Sequence, residues 1–234
     1  MTIEVVGLDG DDTLWHSEQL FVDTQDRFRE LLAPHADLDA DALDRRLVEI
    51  ERRNMSTLGY GVKAFTLSLI ETAIDATDGA IPGATVQQII DLGKVLLDHP
   101  VQLLDGVLDA VDELSDRYRL LLITKGDLLH QESKVARSGI DDQLWAVEIV
   151  SEKDVPTYRR VLARNAVHPT EFVMVGNSVR SDVLPVLELG GRAVHVPYHV
   201  TWELEHAEPD PERHDFPVLD SIRDLPKAID EMAG

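Results

Sequence analysis

Asp9, Asp11 and Asp12 stand directly after a short apolar run, Val5, Val6 and Leu8, with Thr13 behind them. Carboxylates gathered at the mouth of a buried strand repel one another and resist leaving water. Such a cluster is tolerable where a cation neutralises it, and useful where the ligand is a phosphate. Asp9 and Asp11 are two apart in extended chain, so both side chains can project toward one cleft. The chemistry that suits such a pair is phosphoryl transfer. One carboxylate attacks phosphorus to form an aspartyl-phosphate, and the other protonates the leaving alcohol and then deprotonates the water that clears the intermediate. A Mg²⁺ ion would relieve the repulsion between carboxylate and phosphate, and hard oxygens such as Asp9, Asp182 and a backbone carbonyl suit it.

The elements that must position these groups follow from hydrophobic periodicity. Residues 3–8 read as a short buried strand. Apolar stripes at helical spacing follow: Leu20, Phe21, Phe28, Leu31 and Leu32; Leu43, Leu47 and Ile50; Phe65, Leu69, Ala73 and Ile74; and Val86, Ile89, Ile90, Leu96 and Leu97. The breaks "PHADLDAD", "LGYG" and "TDGAIPGAT" separate four helices with no convincing strand among them. From Leu104 the texture changes to alternating helices and short apolar runs, "RLLLIT", "AVEIVS", "EFVMVG" and "RAVHV", with "RSDVLPVLELG" read as a helix. The closing segment "FPVLDSIRDLPKAIDEM" reads as a short strand and a helix. Strand–helix alternation predicts a parallel sheet covered by helices on both faces, with the four-helix block inserted after the first strand. The expected fold is α/β: a three-layer, Rossmann-like parallel-sheet core over residues 1–15 and 100–234, with an all-helical domain inserted at 16–99.

In open parallel sheets ligands bind outside the carboxyl ends of the strands. The first strand delivers Asp9, Asp11 and Asp12; "LLLIT" delivers Thr124, then Lys125 and Gly126; "AVEIVS" is followed by Lys153; "FVMVG" delivers Asn177 and Ser178, with Asp182 a turn later. Thr124, Lys125 or Lys153, and backbone N–H groups would hold phosphoryl oxygens, and the helix opening after Gly126 would add its N-terminal dipole. As the main charge partner Lys153 ranks ahead of Lys125, and Lys134 below both.

With these residues in view, the chain resembles the haloacid dehalogenase superfamily in its phosphatase branch. Asp9-Gly10-Asp11-Asp12-Thr13-Leu14 resembles the first motif, Thr124 the second, Lys153 the third, and Gly176-Asn177-Ser178-Val179-Arg180-Ser181-Asp182 the fourth. The insertion lies where that superfamily places a helical cap. The resemblance implies Asp9 as nucleophile and Asp11 as general acid and base. It implies Thr124 and Lys153 on the phosphate, and Asp9, the Asp11 carbonyl, Asp182 and the Asn177 position around Mg²⁺. Three positions depart from the pattern: Asn177 stands where Asp is usual, Lys125 where Asn is frequent, and Gly10 where an apolar residue is usual. An intact Asp9-x-Asp11 favours phosphate esters over carbon–halogen bonds, since the dehalogenases of this fold carry a non-acidic residue two after the nucleophile.

Composition excludes several classes. A net charge of −22 repels phosphodiester backbones and anionic lipid surfaces, so neither nucleic acid nor membrane is an expected partner. There is no cysteine, which removes disulfides, thiolate metal sites and a cysteine nucleophile. No signal-peptide pattern opens the chain, and a cytoplasmic protein is expected. The expected activity is Mg²⁺-dependent hydrolysis of a small phosphorylated metabolite. The alternatives are a 2-haloacid dehalogenase-type hydrolase of the same fold and a weakly catalytic protein that binds a phosphorylated ligand. Each residue also has an ordinary reading: the aspartates as a turn and cap cluster, Lys153 as a surface lysine beside the N-cap candidate Asp154. The four histidines His195, His199, His206 and His214 match no metal spacing, and the segment that holds them reads as a surface loop with Trp202 packing inward. Trp15 and His16 follow the first motif directly, in packing, hinge or substrate-contact roles.

Overall fold

The computed structural model describes residues 2–207, 209–210 and 215–233. His214 lies outside the described residues. Strand β1 (Val5–Leu8) is followed by helices α1 (Glu18–Leu32), α2 (Ala40–Leu58), α3 (Val62–Ala76) and α4 (Gly83–Leu97). Then come α5 (Val107–Ser115), β2 (Arg119–Lys125), α6 (Leu128–Ser138), β3 (Ala146–Val150), α7 (Val155–Arg164), β4 (Phe172–Gly176), α8 (Leu184–Glu188), β5 (Arg192–His195) and α9 (Leu225–Ala233). The strands form one parallel sheet in the order β3-β2-β1-β4-β5.

Period-two alternation along the strands builds two cores, one on each face. Val6, Leu8, Leu120, Leu122, Val173 and Val175 point to one side and pack with Val107, Val111, Leu114, Leu225 and Ile229 of α5 and α9. Val5, Leu121, Ile123, Phe172 and Met174 point to the other and pack with Tyr158, Val161, Leu162 and Val186 of α7 and α8. β1 and β4 are wholly buried, as the central strands of a sheet covered on both faces must be. Gly7 is the gap in β1 that this packing needs: a Cβ there would lie 2.4 Å from the Phe172 ring.

The chain divides into two compact units. One comprises Met1–Glu18, Val101–Lys125 and Gln131–Gly234 and holds the sheet; the other comprises Gln19–Pro100 with Gly126–His130. The second unit has its own core, in which Phe28, Leu32, Leu47, Leu69 and Ile89 are fully or almost fully buried. Asp39 caps α2 by accepting from Ala42 N at 2.7 Å, and Asp127 accepts from Lys63 N at 3.2 Å at the start of α3.

Two expected elements come out differently. The helix expected over "RSDVLPVLELG" opens as a wide turn, Val179–Val183, before α8. Ser178 Oγ accepts from Ser181 N at 3.1 Å, and this local bond competes with a regular helical start. The strand expected at "FPVL" is a single bridge, Val218 to His195, with Pro217 O accepting from His195 N at 2.9 Å. Pro217 has no N–H to extend the ladder. Among the described residues no helix is long and apolar enough to cross a membrane.

Candidate active site

The carboxyl ends of β1, β2 and β4, with the loop after β3, bring the chemistry-bearing residues to one edge. The segment after β1 turns tightly: Asp9 N donates to Val175 O at 2.9 Å, Leu14 N to Gly10 O at 2.8 Å and Asp12 N to Trp15 O at 2.7 Å. Asp12 holds φ at 62°, a left-handed conformation that Asp tolerates better than most residues. Gly10 is explained by Trp15, since a Cβ at position 10 would lie 2.6 Å from the indole.

Asp9 and Asp182 form a buried pair bridged by Lys153. The Lys153 ammonium bonds Asp9 Oδ1 and lies 2.7 Å from Asp182 Oδ1, and its side chain is 2% exposed. Asp9 Oδ2 accepts from Thr13 Oγ1 at 3.2 Å, and Asp182 Oδ2 accepts from Ser178 N at 3.0 Å. Gly176 makes room for this approach, because a Cβ there would lie 2.1 Å from Asp182 Oδ2. Burial pushes the Asp9 carboxyl up to about 7; Lys153 pulls it down, and the negative Asp182 and Asp11 raise it further. Burial acts to lower the Lys153 ammonium, and Asp182 and Asp9 more than compensate, so it stays firmly cationic.

Asp11 sits in a different environment. Its Oδ1 accepts from Trp15 Nε1 at 2.6 Å and Lys134 Nζ at 2.7 Å, and its Oδ2 from Gln131 Nε2 at 2.8 Å. Burial acts to raise this carboxyl, but the Lys134 charge and the bonds from Lys134, Gln131 and Trp15 win and hold it below its ordinary value. Gln131 and Lys134 lie three apart on α6 and therefore share a face. Sequence reasoning ranked Lys134 last among the lysines and missed Gln131; the spacing was the available signal, and the partner across the fold was not.

Asp12 does structural work. Its carboxylate accepts from Ser17 N at 2.8 Å and Glu18 N at 3.0 Å at the start of α1, as a helix cap does. Burial and the charge of Asp11 push its carboxyl up to about 7 against those backbone bonds. The turn-and-cap reading is therefore correct for this one of the three aspartates.

Thr124 is almost fully buried at the end of β2, and its Oγ1 has no hydrogen-bond partner among the described residues. A buried hydroxyl left unpaired costs roughly 1–3 kcal/mol, which an acceptor arriving from outside would recover. Lys125 turns to Ser181 Oγ at 3.0 Å and to Glu205, a residue that sequence reasoning missed. Glu205 Oε2 accepts from Ser178 Oγ at 2.8 Å and Ser181 Oγ at 2.6 Å; burial opposes its charge, while Lys125 and these bonds hold its carboxyl low. Gly126 has φ of 135°, and with residues 127–130 it is part of the helical unit. Asn177 enters the network through its main-chain oxygen, 2.9 Å from His195 Nε2. His16 Nδ1 lies 2.7 Å from the Tyr198 hydroxyl, whose pKa is pushed up to about 12 by burial and by Asp12 and Glu18.

Among the described residues no three His, Asp or Glu side chains converge as a ready metal cage. The donor chemistry at Asp9 and Asp182 nevertheless fits Mg²⁺, which takes one or two carboxylates and keeps several waters. Burial raises the Asp9 carboxyl most, with Asp182 and Asp11 adding to it, and a divalent cation beside it would favour the charged form.

The sequence matches the model of the haloacid dehalogenase-like hydrolases over residues 3–190, and the chain belongs to that family. A haloacid dehalogenase-like hydrolase from Xanthomonas campestris is 40% identical, with a TM-score of 0.88 over 99% of this chain and 92% of that one. The L-2-haloacid dehalogenase from Xanthobacter autotrophicus with chloropropionic acid covalently bound shares the fold at 16% identity and a TM-score of 0.69, over 99% of this chain and all of that one. A predicted phosphoglycolate phosphatase from Haemophilus somnus does so at 14% identity and a TM-score of 0.67, over 97% and 98% of the two chains. No curated protein matches the chain in sequence.

Proposed function

We propose that this hydrolase is a Mg²⁺-dependent phosphatase of a small phosphorylated metabolite in the cytoplasm, working through an aspartyl-phosphate on Asp9. The observation that carries the reading is Asp11: a second, half-buried carboxylate, two residues on and held by three donors, where carbon–halogen cleavage needs none. The partnerless Thr124 hydroxyl and the Lys153 ammonium support it as donors to phosphoryl oxygens.

In the first step an Asp9 oxygen attacks phosphorus, the bond to the ester oxygen breaks, and a proton on Asp11 passes to the departing alcohol. In the second step Asp11 takes a proton from water, whose oxygen attacks phosphorus as the bond to Asp9 breaks; inorganic phosphate leaves, the Asp9 carboxylate is restored, and Asp11 passes its proton to solvent as the phosphate departs. Asp11 rests as a carboxylate, the form the second step needs. The negative charge of an arriving phosphate raises its proton affinity for the first. A Mg²⁺ held by Asp9, Asp182 and the Asp11 carbonyl, with the Asn177 position beside them, would supply electrostatic stabilisation of the phosphoryl charge. Thr124, Lys153 and the backbone at Lys125–Gly126 would orient the phosphoryl oxygens. The inserted helices, residues 16–99 as a cap domain, would exclude water and choose the substrate.

The test is phosphate release from p-nitrophenyl phosphate, with Mg²⁺ and with EDTA, by wild type and Asp9→Asn. Release that needs Mg²⁺ and falls by about 10⁴-fold or more in Asp9→Asn is expected. Chloride release from 2-chloropropionate that persists in EDTA, with no phosphate release, would sink the proposal in favour of dehalogenation.

A further inference from the structure

Resting on the phosphatase reading above, we propose that Lys134 and Gln131 of α6 are positioning residues that fix the Asp11 carboxylate for its part in that reaction. The argument begins with lone pairs. A carboxylate oxygen offers about two acceptor sites. Asp11 Oδ1 already takes two donors, Trp15 Nε1 at 2.6 Å and Lys134 Nζ at 2.7 Å. Asp11 Oδ2 takes one, Gln131 Nε2 at 2.8 Å, so the two residues of α6 hold one oxygen each and leave Oδ2 the less occupied of the two.

Gln131 cannot exchange its amide ends without loss. The same Nε2 also donates to Lys125 O at 2.9 Å, so a flip would set two carbonyl oxygens against each other. Gln131 is therefore fixed as a donor, and it steadies the carboxylate without competing for the proton. Its own Oε1 is buried with no partner among the described residues, a cost to the fold that the glutamine bears while serving Asp11. Lys134 is likewise a poor choice for stability alone: its side chain is only 12% exposed, so the ammonium is largely withdrawn from water to meet Asp11. Both residues project from one helix three positions apart, so they fix the carboxylate plane as a pair.

The consequence is a selective one. Poor leaving groups need the proton from Asp11, whereas good ones leave with little help. The experiment compares kcat/KM for phenyl phosphate and p-nitrophenyl phosphate, with Mg²⁺ present, in wild type, Lys134→Met, Gln131→Met and Lys134→Arg. Lys134→Met is expected to lose about 100-fold on phenyl phosphate and under about 10-fold on p-nitrophenyl phosphate, within the range that acid catalysis supplies. Gln131→Met should show the same skew at smaller size, and Lys134→Arg should recover most of the loss on the phenyl ester. Equal losses on both esters, or none, would overturn the inference while the phosphatase reading stands. If Lys134→Met does not fold, the skew in Gln131→Met and its absence in Lys134→Arg decide. A wild type that hydrolyses neither ester brings down the phosphatase reading and this inference with it.

Discussion

Asp9 and Asp11 are two residues apart on one short loop, yet their surroundings push them in opposite directions. The Asp9 carboxyl is raised to about 7 by burial and by its acidic neighbours, while the Asp11 carboxyl is held below its ordinary value. The difference lies in the ratio of charges. Around Asp9 one ammonium, Lys153, serves two carboxylates, Asp9 and Asp182. Around Asp11 one ammonium, Lys134, serves one carboxylate, with an amide and an indole N–H added. The first arrangement is short of positive charge and the second is not. This contrast supports the proposed division of labour, with a divalent cation at the Asp9 side and proton handling at the Asp11 side. Two identical side chains acquire different proton affinities from their burial and their partners.

The sharpest way to break this contrast is to remove the shared ammonium. Lys153→Ala leaves Asp9 and Asp182 buried without their cation, and breaking a buried pair of this kind costs about 3–5 kcal/mol. For a chain of this size that corresponds to a fall in Tm of about 10 °C in thermal unfolding. The fall should be larger at pH 8 than at pH 6, because Asp9 can take a proton at the lower pH. A loss as small as that of a surface lysine would show that the pair is not buried as described.

A second substitution reads the surplus charge directly. The folded-state pKa of Asp9, about 7, lies above its ordinary 3.8, so the folded protein binds a proton that the unfolded chain releases. The stability linked to Asp9 is then fully present below pH 3.8 and is lost as pH rises through 7. Asn at this position does not titrate. In EDTA, Asp9→Asn should gain on wild type by an amount of order 2 kcal/mol between pH 5 and pH 8, measured by urea unfolding. Wild type and variant running parallel across that range would refute the raised Asp9 carboxyl. The comparison thus isolates the pH-dependent part of the stability at this position from the bonds to Lys153 and Thr13, which the substitution weakens at every pH.

How much of this was legible in the sequence divides along the same lines. The strands were, because buried parallel strands read as apolar runs and each run ends where its chemistry begins, at Asp9, Thr124 and Gly176-Asn177. Position along the chain thus carried Asp9, Lys153 and Asp182 to neighbouring strand ends, and the structure puts them within one hydrogen-bonded group. Gln131 and Lys134 were not legible as partners of Asp11. Their shared helix face was visible, but what that face meets is set by the packing of α6 on the sheet, across more than 120 residues of sequence separation for Lys134. Asp12 was grouped with its neighbours because charge clusters look alike in sequence; only the backbone at Ser17 and Glu18 marks it as a cap. Glu205 was the least legible. It lies in a single 3-10 turn, Glu203–Glu205, too short to show periodicity, and a glutamate in a strongly acidic chain carries no signal of its own.

Glu205 also supplies the smallest and most discriminating prediction. Sequence reasoning placed Lys125 on the phosphate beside Lys153. In the structure the Lys125 ammonium meets Glu205, which also takes the hydroxyls of Ser178 and Ser181. Glu152 Oε1 also lies 3.5 Å from this ammonium, so Lys125 and Lys153 each face two carboxylates, but only Lys153 bonds the carboxylate proposed to attack. Lys125→Met should therefore leave KM for p-nitrophenyl phosphate within about threefold of wild type, while costing the 1–3 kcal/mol typical of hydrogen bonds to a charged group. Glu205→Gln keeps an acceptor for the serines but drops the charge that Lys125 answers. It should lower KM by a few fold, as an ammonium relieved of one of its carboxylates adds to the attraction for an anion. The double variant should return KM to near the wild-type value, since the two residues act on the substrate only through each other. A tenfold rise in KM for Lys125→Met alone would put Lys125 on the phosphate after all and make Glu205 its competitor. That outcome would leave the Asp9 and Asp11 contrast intact, because neither carboxylate bonds Lys125.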